Sequence, residues 1–294
     1  MGVNRIVATS VAVSAAVLIA SCSNTPATGP SRDGATQTSS APSGMAGMPG
    51  LSEPMPTGDG LAAAQSGFTL VPATTTLTAN TANPFTFRIT GPGGAPVNRF
   101  VPELTKLLHL YAIRTDLTGF LHLHPTMSAD GTWSITLPAM TPGDWRVYAQ
   151  FTPNRPNDVT VPMVLSTPAS VPGTATTAPL PPPSDTATVD GYTVTLAGQA
   201  AAGQAGQLTL DFSRDGQPVS DLQPYLDTYA HVTAIHAGTL AFAHLHPNNP
   251  VNGDHGGPTL SIESAFSAAG DWRLFIEFQT AATVHTAQTT IHVS

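Results

Sequence analysis

The sequence predicts an all-β protein in which two tandem β-sandwich domains follow an N-terminal tether. Three observations predict this architecture. Short runs rich in β-branched and aromatic residues recur along most of the chain, separated by Gly, Pro, Asn and Asp. One long segment occurs twice, with matching residues in the same order. Segments rich in Ser, Thr, Pro and Ala precede each of the two copies.

The N-terminus has the features of an export signal. Arg5 precedes an apolar run of 15 residues over 6–20, and small residues lead directly to Cys22. This run is shorter than the roughly 20 residues that a membrane-spanning helix needs. It resembles a bacterial lipobox, in which the thiol is acylated and the chain is cut just before the cysteine. We therefore predict a signal peptide over 1–21, lipidation of Cys22 and attachment to the extracytoplasmic face of the cell membrane. The alternative is an ordinary signal peptide with a chance cysteine.

Composition limits the function classes. Cys22 is the single cysteine of the chain, so the mature protein forms no internal disulfide and depends on a buried core. The 294 residues, 41% of them hydrophobic, suffice for two such cores. Ten Lys and Arg residues stand against 18 Asp and Glu residues, for a net charge of −8. This balance excludes the basic footprint of a nucleic-acid-binding protein.

Two segments of low complexity divide the chain. Residues 22–66 predict a disordered, lipid-anchored tether, and residues 166–188 predict a Pro-, Thr- and Ala-rich linker. The first β-sandwich repeat is therefore expected over 67–165 and the second over 189–294.

The two domains are copies of each other. Residues 96–125 align without a gap on 218–247, with 12 of the 30 positions identical. Residues 132–151 align on 259–278, so the second copy carries five extra residues between these segments. Repeats of this length are typical of a duplicated domain rather than of a solenoid unit.

Each copy predicts about seven short strands. In the first copy they cover residues 68–71, 85–90, 108–114, 120–124, 133–137, 145–151 and 159–165. Seven strands at this spacing favour an immunoglobulin-like or cupredoxin-like sandwich. Trp145 and Trp272, in the repeated Gly-Asp-Trp-Arg sequence, are predicted to be core residues at the start of a strand.

Three histidines occupy matching positions in the two copies. Residues two apart in a strand point to the same face, so His122 and His124 share one side of their strand. The short connection over 115–119 predicts a hairpin that brings His109 opposite one of them, on the same face. The six candidate metal ligands are His109, His122 and His124, and then His231, His244 and His246.

Three converging imidazoles favour a transition metal. Imidazole suits copper and zinc, and the affinity order of the divalent ions peaks at copper, so copper is the predicted metal and zinc the alternative. Met127 and His255 are predicted as possible additional ligands of the first and second site. Thioether sulfur selects Cu(I), and the tether also carries three methionines: Met45, Met48 and Met55.

Two other functions stay open from the residues alone. The histidines could be structural and hydrogen-bond one another, in a tandem immunoglobulin-like interaction module without a metal. A metal-dependent enzyme is the weaker alternative, because neither copy keeps a carboxylate beside the cluster: Glu103 aligns with Tyr225 and Asp116 with Gly238. Three histidines lack a counterpart in the first copy and are predicted to lie at the surface: His236, His285 and His292.

The pattern His…Ile…Phe-x-His-x-His-Pro, present over 96–151 and 218–278, resembles a group of exported actinobacterial lipoproteins with a segment of the type GHLVVL…FVHVHP. The resemblance implies a duplicated β-sandwich associated with copper handling. Leu108 and Ala230 stand where that pattern has glycine. We therefore expect a surface lipoprotein that buffers, sequesters or delivers copper. Its expected partners are the membrane, the metal ion and another extracytoplasmic metal-handling protein.

Overall fold

The computed structural model describes residues 56, 58–154 and 161–294. Within these residues every regular element is a β-strand, which confirms the predicted all-β class. No helix in the same ranges has the length and hydropathy of a membrane span. Several predictions fall outside the described residues: the signal peptide, Cys22, the three methionines of the tether and most of the tether itself.

The first repeat contains ten strands: β1 (Ala64–Gln65), β2 (Phe68–Pro72), β3 (Asn83–Thr90), β4 (Phe100–Val101), β5 (His109–Arg114), β6 (Phe120–Leu123), β7 (Thr126–Met127), β8 (Thr132–Leu137), β9 (Gly143–Pro153) and β10 (Met163–Val171). One antiparallel sheet has the order β1-β2-β3-β8-β7, and the other has the order β10-β9-β5-β6. Strand β4 pairs with β9 beside the second sheet.

The second repeat contains nine strands: β11 (Thr186–Val189), β12 (Tyr192–Ala197), β13 (Ala205–Arg214), β14 (Gln217–Pro218), β15 (Ala230–His236), β16 (Phe242–Leu245), β17 (Thr259–Ala265), β18 (Gly270–Thr280) and β19 (Thr283–Val293). One sheet has the order β11-β12-β13-β14, with β17 also paired to β13, and the other has the order β16-β15-β18-β19. The prediction of two tandem β-sandwiches is thus confirmed.

Each sandwich encloses its own hydrophobic core. In β3, buried and exposed residues alternate, so that Phe85, Phe87 and Ile89 enter the first core while their neighbours face outward. Trp145 and Trp272 are buried in the first and second core, as predicted. Their indole N–H groups donate to the carbonyls of Thr141 and Ala268, at 3.1 and 3.0 Å. The two copies therefore have a buried tryptophan with the same hydrogen bond at equivalent positions.

The histidine-bearing sheets are buried on both faces. All six residues of β5 are buried, because its two sides face two different cores. Leu110 and Ala112 pack in the first sandwich, whereas Tyr111 and Ile113 belong to a third cluster that contains residues of the second repeat. The repeats therefore meet through the outer faces of their histidine-bearing sheets. We call this contact the repeat junction; its buried members are Tyr111, Ile113, Leu117, Tyr148, Val164, Ile235, Phe242 and Phe275.

Equivalent residues of the two repeats face each other across the repeat junction. Phe120 stacks on Phe275 with ring centroids 4.2 Å apart and an interplanar angle of 7°. Phe242 of the second repeat is equivalent to Phe120, and Tyr148 of the first repeat is equivalent to Phe275. The ring centroids of Phe242 and Tyr148 are 5.3 Å apart. The Tyr148 hydroxyl also donates to the Leu240 carbonyl at 2.6 Å. The junction consequently has an approximate twofold relationship between duplicated surfaces.

The predicted linker begins too early. Strand β10 continues to Val171 and pairs with β9 over its whole length, so residues 166–171 belong to the first sandwich. Ser166, Ala169 and Val171 are buried there. The composition of this strand, rich in small residues and containing a proline, hides its alternation of inward and outward residues.

The C-terminal end of the predicted tether is part of the folded unit. Ala64 and Gln65 form β1, and the backbone before it lies along the repeat junction. The Phe242 N–H donates to the Asp59 carbonyl at 2.8 Å, and the Arg146 guanidinium donates to the Leu61 carbonyl at 3.0 Å. This segment accepts hydrogen bonds from both repeats, which its Gly- and Ala-rich sequence does not indicate.

Candidate metal centre

Two β-hairpins position the six histidines. In the β5–β6 hairpin Tyr111 pairs with His122, and the next pair in the same register is His109 with His124. In β15–β16 Thr233 pairs with His244, which places His231 opposite His246. Since opposed residues lie on one face of a sheet, each hairpin gathers three imidazoles on that face. The predicted hairpin geometry is confirmed in both repeats.

The first triad, His109, His122 and His124, is compact. Each residue offers one nitrogen, and these nitrogens all lie within 4.8 Å of one another. His109 Nδ1 lies 3.0 Å from His122 Nε2. The rings of His122 and His124 are T-shaped, with centroids 4.7 Å apart. This arrangement could hold a metal ion.

The second triad, His231, His244 and His246, repeats the arrangement. Its ligand nitrogens also lie within 4.8 Å of one another. His231 Nδ1 lies 3.2 Å from His244 Nε2, and the His244 and His246 centroids are 4.3 Å apart. The duplication has therefore kept the geometry as well as the residue types.

Burial keeps these imidazoles neutral. His109, His231 and His244 are 1%, 0% and 0% exposed. Burial, followed by the neighbouring His122, lowers the pKa of His109 to about 3. Burial and then the charge of His246 hold the pKa of His231 and of His244 well below the usual range. Neutral imidazole is the form that binds a metal.

Hydrogen bonds fix which nitrogens of the first triad carry a proton. The Glu103 carbonyl can only accept, so the 3.0 Å bond places the proton of His109 on Nε2. The Glu277 carboxylate likewise accepts from His122 Nδ1 at 2.6 Å. The remaining nitrogens of these two rings, His109 Nδ1 and His122 Nε2, face each other at 3.0 Å. When both are deprotonated, they can be ligands of one cation.

The third imidazole of each triad provides a second indication of a metal. Within the described part of the chain, His124 Nε2 and His246 Nε2 are buried without a hydrogen-bond partner. A buried polar atom left unpaired costs about 1–3 kcal/mol. Coordination to an ion shared with the other two histidines would satisfy these nitrogens, so the donor set fits a metal.

The second triad is constrained differently. Gln150 donates from Nε2 to Glu103 Oε1 at 2.6 Å, which turns its own oxygen towards His244. His244 Nδ1 donates to that oxygen at 2.7 Å, leaving His244 Nε2 as an acceptor. His231 Nδ1 can donate to this acceptor at 3.2 Å, which leaves the buried His231 Nε2 without a hydrogen-bond partner.

The two triads lie next to each other across the repeat junction. Ring centroids of different triads come within 5.6 Å for His122 and His231 and within 5.9 Å for His109 and His244. Tyr111 lies between the triads, stacked on His122 at 4.4 Å and with its hydroxyl 3.4 Å from the His244 ring. The six histidines therefore form one contiguous cluster.

The sequence profile described as "Domain of unknown function (DUF8832)" matches the chain twice, over residues 63–168 and 187–294. The chain belongs to this family. Each match contains one histidine triad, so the DUF8832 domain is the unit that was duplicated. Comparison with curated protein sequences gives no significant match.

Three solved structures show a weak similarity to this DUF8832 chain. The Escherichia coli adhesin FdeC is 14% identical, over 79% of this chain and 65% of that one, with a TM-score of 0.25. The Yersinia pseudotuberculosis adhesin InvE is 15% identical over 79% and 60%, with a TM-score of 0.24. The chain thus spans less than two thirds of either adhesin structure. The fibronectin(III)-like modules of Clostridium thermocellum CbhA are 10% identical over 76% and 93%, with a TM-score of 0.20.

Glu277 and Gln150 are the site residues that sequence reasoning missed. The expectation that the cluster has no neighbouring carboxylate is wrong for the first triad, because Glu277 comes from the other repeat. The two residues occupy equivalent positions in the aligned segments 132–151 and 259–278. Their strands pair with the histidine strands, His109 opposite Gln150 and His231 opposite Glu277. A polar residue at the same point of a long apolar strand in both copies was the available indication.

The other candidate ligands lie apart from the triads. Met127 packs against the first hydrophobic core, and His255 is exposed and outside the second group of nitrogens. The prediction that His285 is a surface residue is wrong. It is buried, with Nδ1 2.8 Å from Asp190 Oδ2 and Nε2 3.0 Å from Thr280 Oγ1, because it lies on the inner face of the last strand.

A cavity of about 510 Å³ borders the second triad. His244 and His246 line one side of it, and Glu103 and Asp227 contribute acidic side chains. An acidic cavity that ends on imidazoles gives a cation a favourable route to the cluster.

Proposed function

We propose that the protein binds a transition metal, copper, through the three-histidine site of each repeat. The observation that carries this proposal is the convergence of His109 Nδ1 and His122 Nε2, 3.0 Å apart, with the buried, unpartnered Nε2 of His124 in the same triad. Burial lowers the pKa of His109 and His124 to about 3, so these two ligands are neutral before the ion arrives.

Copper is favoured over zinc by the donor chemistry. Three imidazoles bind several divalent ions, and among them affinity peaks at Cu(II). The tether adds Met45, Met48 and Met55, whose thioethers suit Cu(I). The resemblance of the His…Phe-x-His-x-His-Pro segment to copper-associated exported proteins supports the same metal.

The proposed location is the extracytoplasmic face of the cell membrane, with Cys22 as the lipid-bearing residue. There the protein would buffer or sequester copper, or pass it to another metal-handling protein. The apolar run over 6–20 that ends in Cys22 supports this location. A chain with a single cysteine also leaves its histidines and methionines as the soft and borderline metal ligands.

Metal analysis of the full chain, purified in mild detergent and stripped with a chelator, tests the metal proposal. We expect two Cu(II) ions per chain, one for each triad. His122→Ala/His124→Ala should lose one equivalent and His244→Ala/His246→Ala the other, because each pair removes two of three ligands. His236→Ala/His292→Ala, outside both triads, serves as the control and should keep both ions.

The competing function makes the opposite prediction. In a tandem interaction module with structural histidines, the hydrogen bond from His231 to His244 would be the native arrangement. A folded chain that binds neither Cu(II) nor Zn(II) at neutral pH would support that function and contradict the metal proposal. Circular dichroism of each variant confirms that a lost ion does not reflect a lost fold.

Replacing the proposed anchor tests the location separately. Cys22→Ser should abolish acylation and move the protein from the membrane fraction to the soluble or secreted fraction of the bacterium, since the acyl chains supply the membrane affinity. Intact mass spectrometry of the wild-type chain should show the added lipid. An unmodified wild-type chain that still sediments with membranes would contradict the proposed anchor.

A further inference from the structure

Each repeat supplies the hydrogen-bond acceptor that orients a histidine of the other repeat. Glu277 of the second repeat accepts from His122 of the first at 2.6 Å. Gln150 of the first repeat accepts from His244 of the second at 2.7 Å. These acceptors occupy equivalent positions of the duplicated sequence, and so do the histidines. The two contacts are therefore equivalent copies of the same interaction. In each copy the acceptor belongs to one repeat and the histidine to the other, so that both contacts cross the repeat junction.

The exchanged acceptors are built into the fold. Gln150 and Glu277 are 0% and 6% exposed, and they lie on the central strands β9 and β18. The His122 side chain is fully buried against Glu277. A partner that accepts from the non-ligating N–H of a histidine fixes the ring and raises the basicity of the ligating nitrogen. Losing such a partner typically weakens metal binding by about 10–100-fold.

The duplication has left the two acceptors chemically different. Glu277 brings a carboxylate into direct contact with the first triad, whereas Gln150 brings a neutral amide to the second. The carboxylate of Glu103 lies one residue further from the second triad, bonded to the Gln150 amide. A hydrogen bond to a charged group is stronger and shorter than one to a neutral group.

We infer that the two triads form one two-ion centre assembled across the repeat junction, with unequal sites, in which Glu277 makes the first triad the high-affinity site for a divalent cation and Gln150 leaves the second the low-affinity site. This inference rests on the proposed metal binding. Glu277 and Gln150 act as positioning residues, since they reach the ion through a histidine. Such a chain holds the ion of the first triad tightly and exchanges the ion of the second triad. The second triad is the one that borders the cavity.

Chains that retain a single triad give the sharpest test. In the wild-type chain two neighbouring ions repel each other, and this repulsion alone would make the second ion bind more weakly than the first. The full chain with His244→Ala/His246→Ala retains only the first triad, and the chain with His122→Ala/His124→Ala retains only the second. Titration with Cu(II) against a competing chelator, and with Zn(II) as a second probe, should give a Kd for the first triad about 10–100-fold lower than for the second. Equal Kd values, or a tighter second triad, would overturn the inference.

Exchanging the acceptors tests the cause of the difference. Glu277→Gln in the chain that retains the first triad should raise its Kd by about 10–100-fold and so remove the difference. Asp271→Asn is the matched control: it removes one carboxylate from the same strand, six residues away, where Asp271 contacts the exposed His292. Along a strand that distance is roughly 20 Å, so Asp271→Asn should leave Kd unchanged.

A charge-conserving variant covers the case in which Glu277→Gln fails to fold. In the chain that retains the second triad, Glu103→Gln/Gln150→Glu keeps the bond between positions 103 and 150 but moves the carboxylate into contact with His244. Its Kd should fall by about 10-fold or more, with a shifted Cu(II) absorption and electron paramagnetic resonance spectrum, which a merely structural role would not produce. An unchanged Kd and spectrum would overturn the role of the acceptors.

Failure of this inference is distinguishable from failure of the proposed function. If the stripped wild-type chain binds no metal, metal binding itself is wrong. If both isolated triads bind Cu(II) equally well and Glu277→Gln changes neither, metal binding stands and the unequal centre is wrong.

Discussion

Acidifying the metal-free chain from about pH 7.5 to about pH 5.5 is expected to lower its free energy of unfolding by about 6 kcal/mol. Five histidines of the triads carry this effect: His109, His231, His244 and His246 contribute fully, and the less buried His124 contributes less. Each is held neutral in the folded protein, whereas each takes up a proton readily once the chain unfolds.

The direction follows from the shifted pKa values. Burial, with a further contribution from neighbouring histidines, lowers the pKa of His109 and His124 to about 3, that of His246 to about 4, and that of His231 and His244 well below 6.5. Between about pH 6.5 and these folded values, the unfolded chain binds protons that the folded chain does not. Stability is therefore fully present above pH 6.5 and is lost as the pH falls, by about 1.4 kcal/mol per pH unit for each histidine.

Urea unfolding of the chelator-treated chain at several pH values measures this dependence. His244→Gln removes one of the five titrating groups, so the slope of unfolding free energy against pH should fall by about a fifth. His292 is exposed and serves as the control, since His292→Asn should leave the slope unchanged. An unfolding free energy that is constant between pH 7.5 and pH 5.5 would contradict the burial of these histidines in the neutral form.

The sequence was sufficient for the elements whose determinants are local. Alternation and turn residues located six of the seven strands predicted in the first repeat, and the duplicated histidines predicted both hairpins with their rings on one face. These features depend on periodicity and on a short connection, which one strand pair specifies by itself. The seventh strand was placed too early, because the small residues of β10 gave no contrast between its two faces.

The repeat junction could not be predicted in the same way. An apolar residue on the second face of β5, such as Tyr111 or Ile113, indicates burial without indicating which surface covers it. Glu277 lies 155 positions from the histidine that it orients, and only the packing of the two sheets brings them together. The sequence therefore identified the ligands of each triad but not the groups that support them.

Replacing Phe275 with alanine is expected to lower the free energy of unfolding by about 3–5 kcal/mol and to weaken metal binding at both triads. Phe275 is 0% exposed and stacks on Phe120 of the first repeat at 4.2 Å. It lies two residues before Glu277 on the same strand, so both side chains point into the repeat junction. Removing the ring opens a cavity beside the contact that orients His122.

Phe266→Ala is the matched control. Phe266 is also 0% exposed, but it packs in the core of the second sandwich, with its ring 5.0 Å from that of Trp272. Its loss should cost a similar free energy without changing the junction. Urea unfolding and Cu(II) titration of both variants, under conditions where both are folded, separate the two effects.

Comparing the two variants shows whether the metal affinity of each triad depends only on its own repeat or also on contacts across the repeat junction. If each triad were complete within its own hairpin, Phe275→Ala and Phe266→Ala would change Kd to the same small extent. Because His122 is held by Glu277 and His244 by Gln150, we expect Phe275→Ala to raise Kd by about 10-fold or more at both triads while Phe266→Ala does not. Equal Kd values in the two variants would show that the exchanged acceptors contribute nothing to the metal sites.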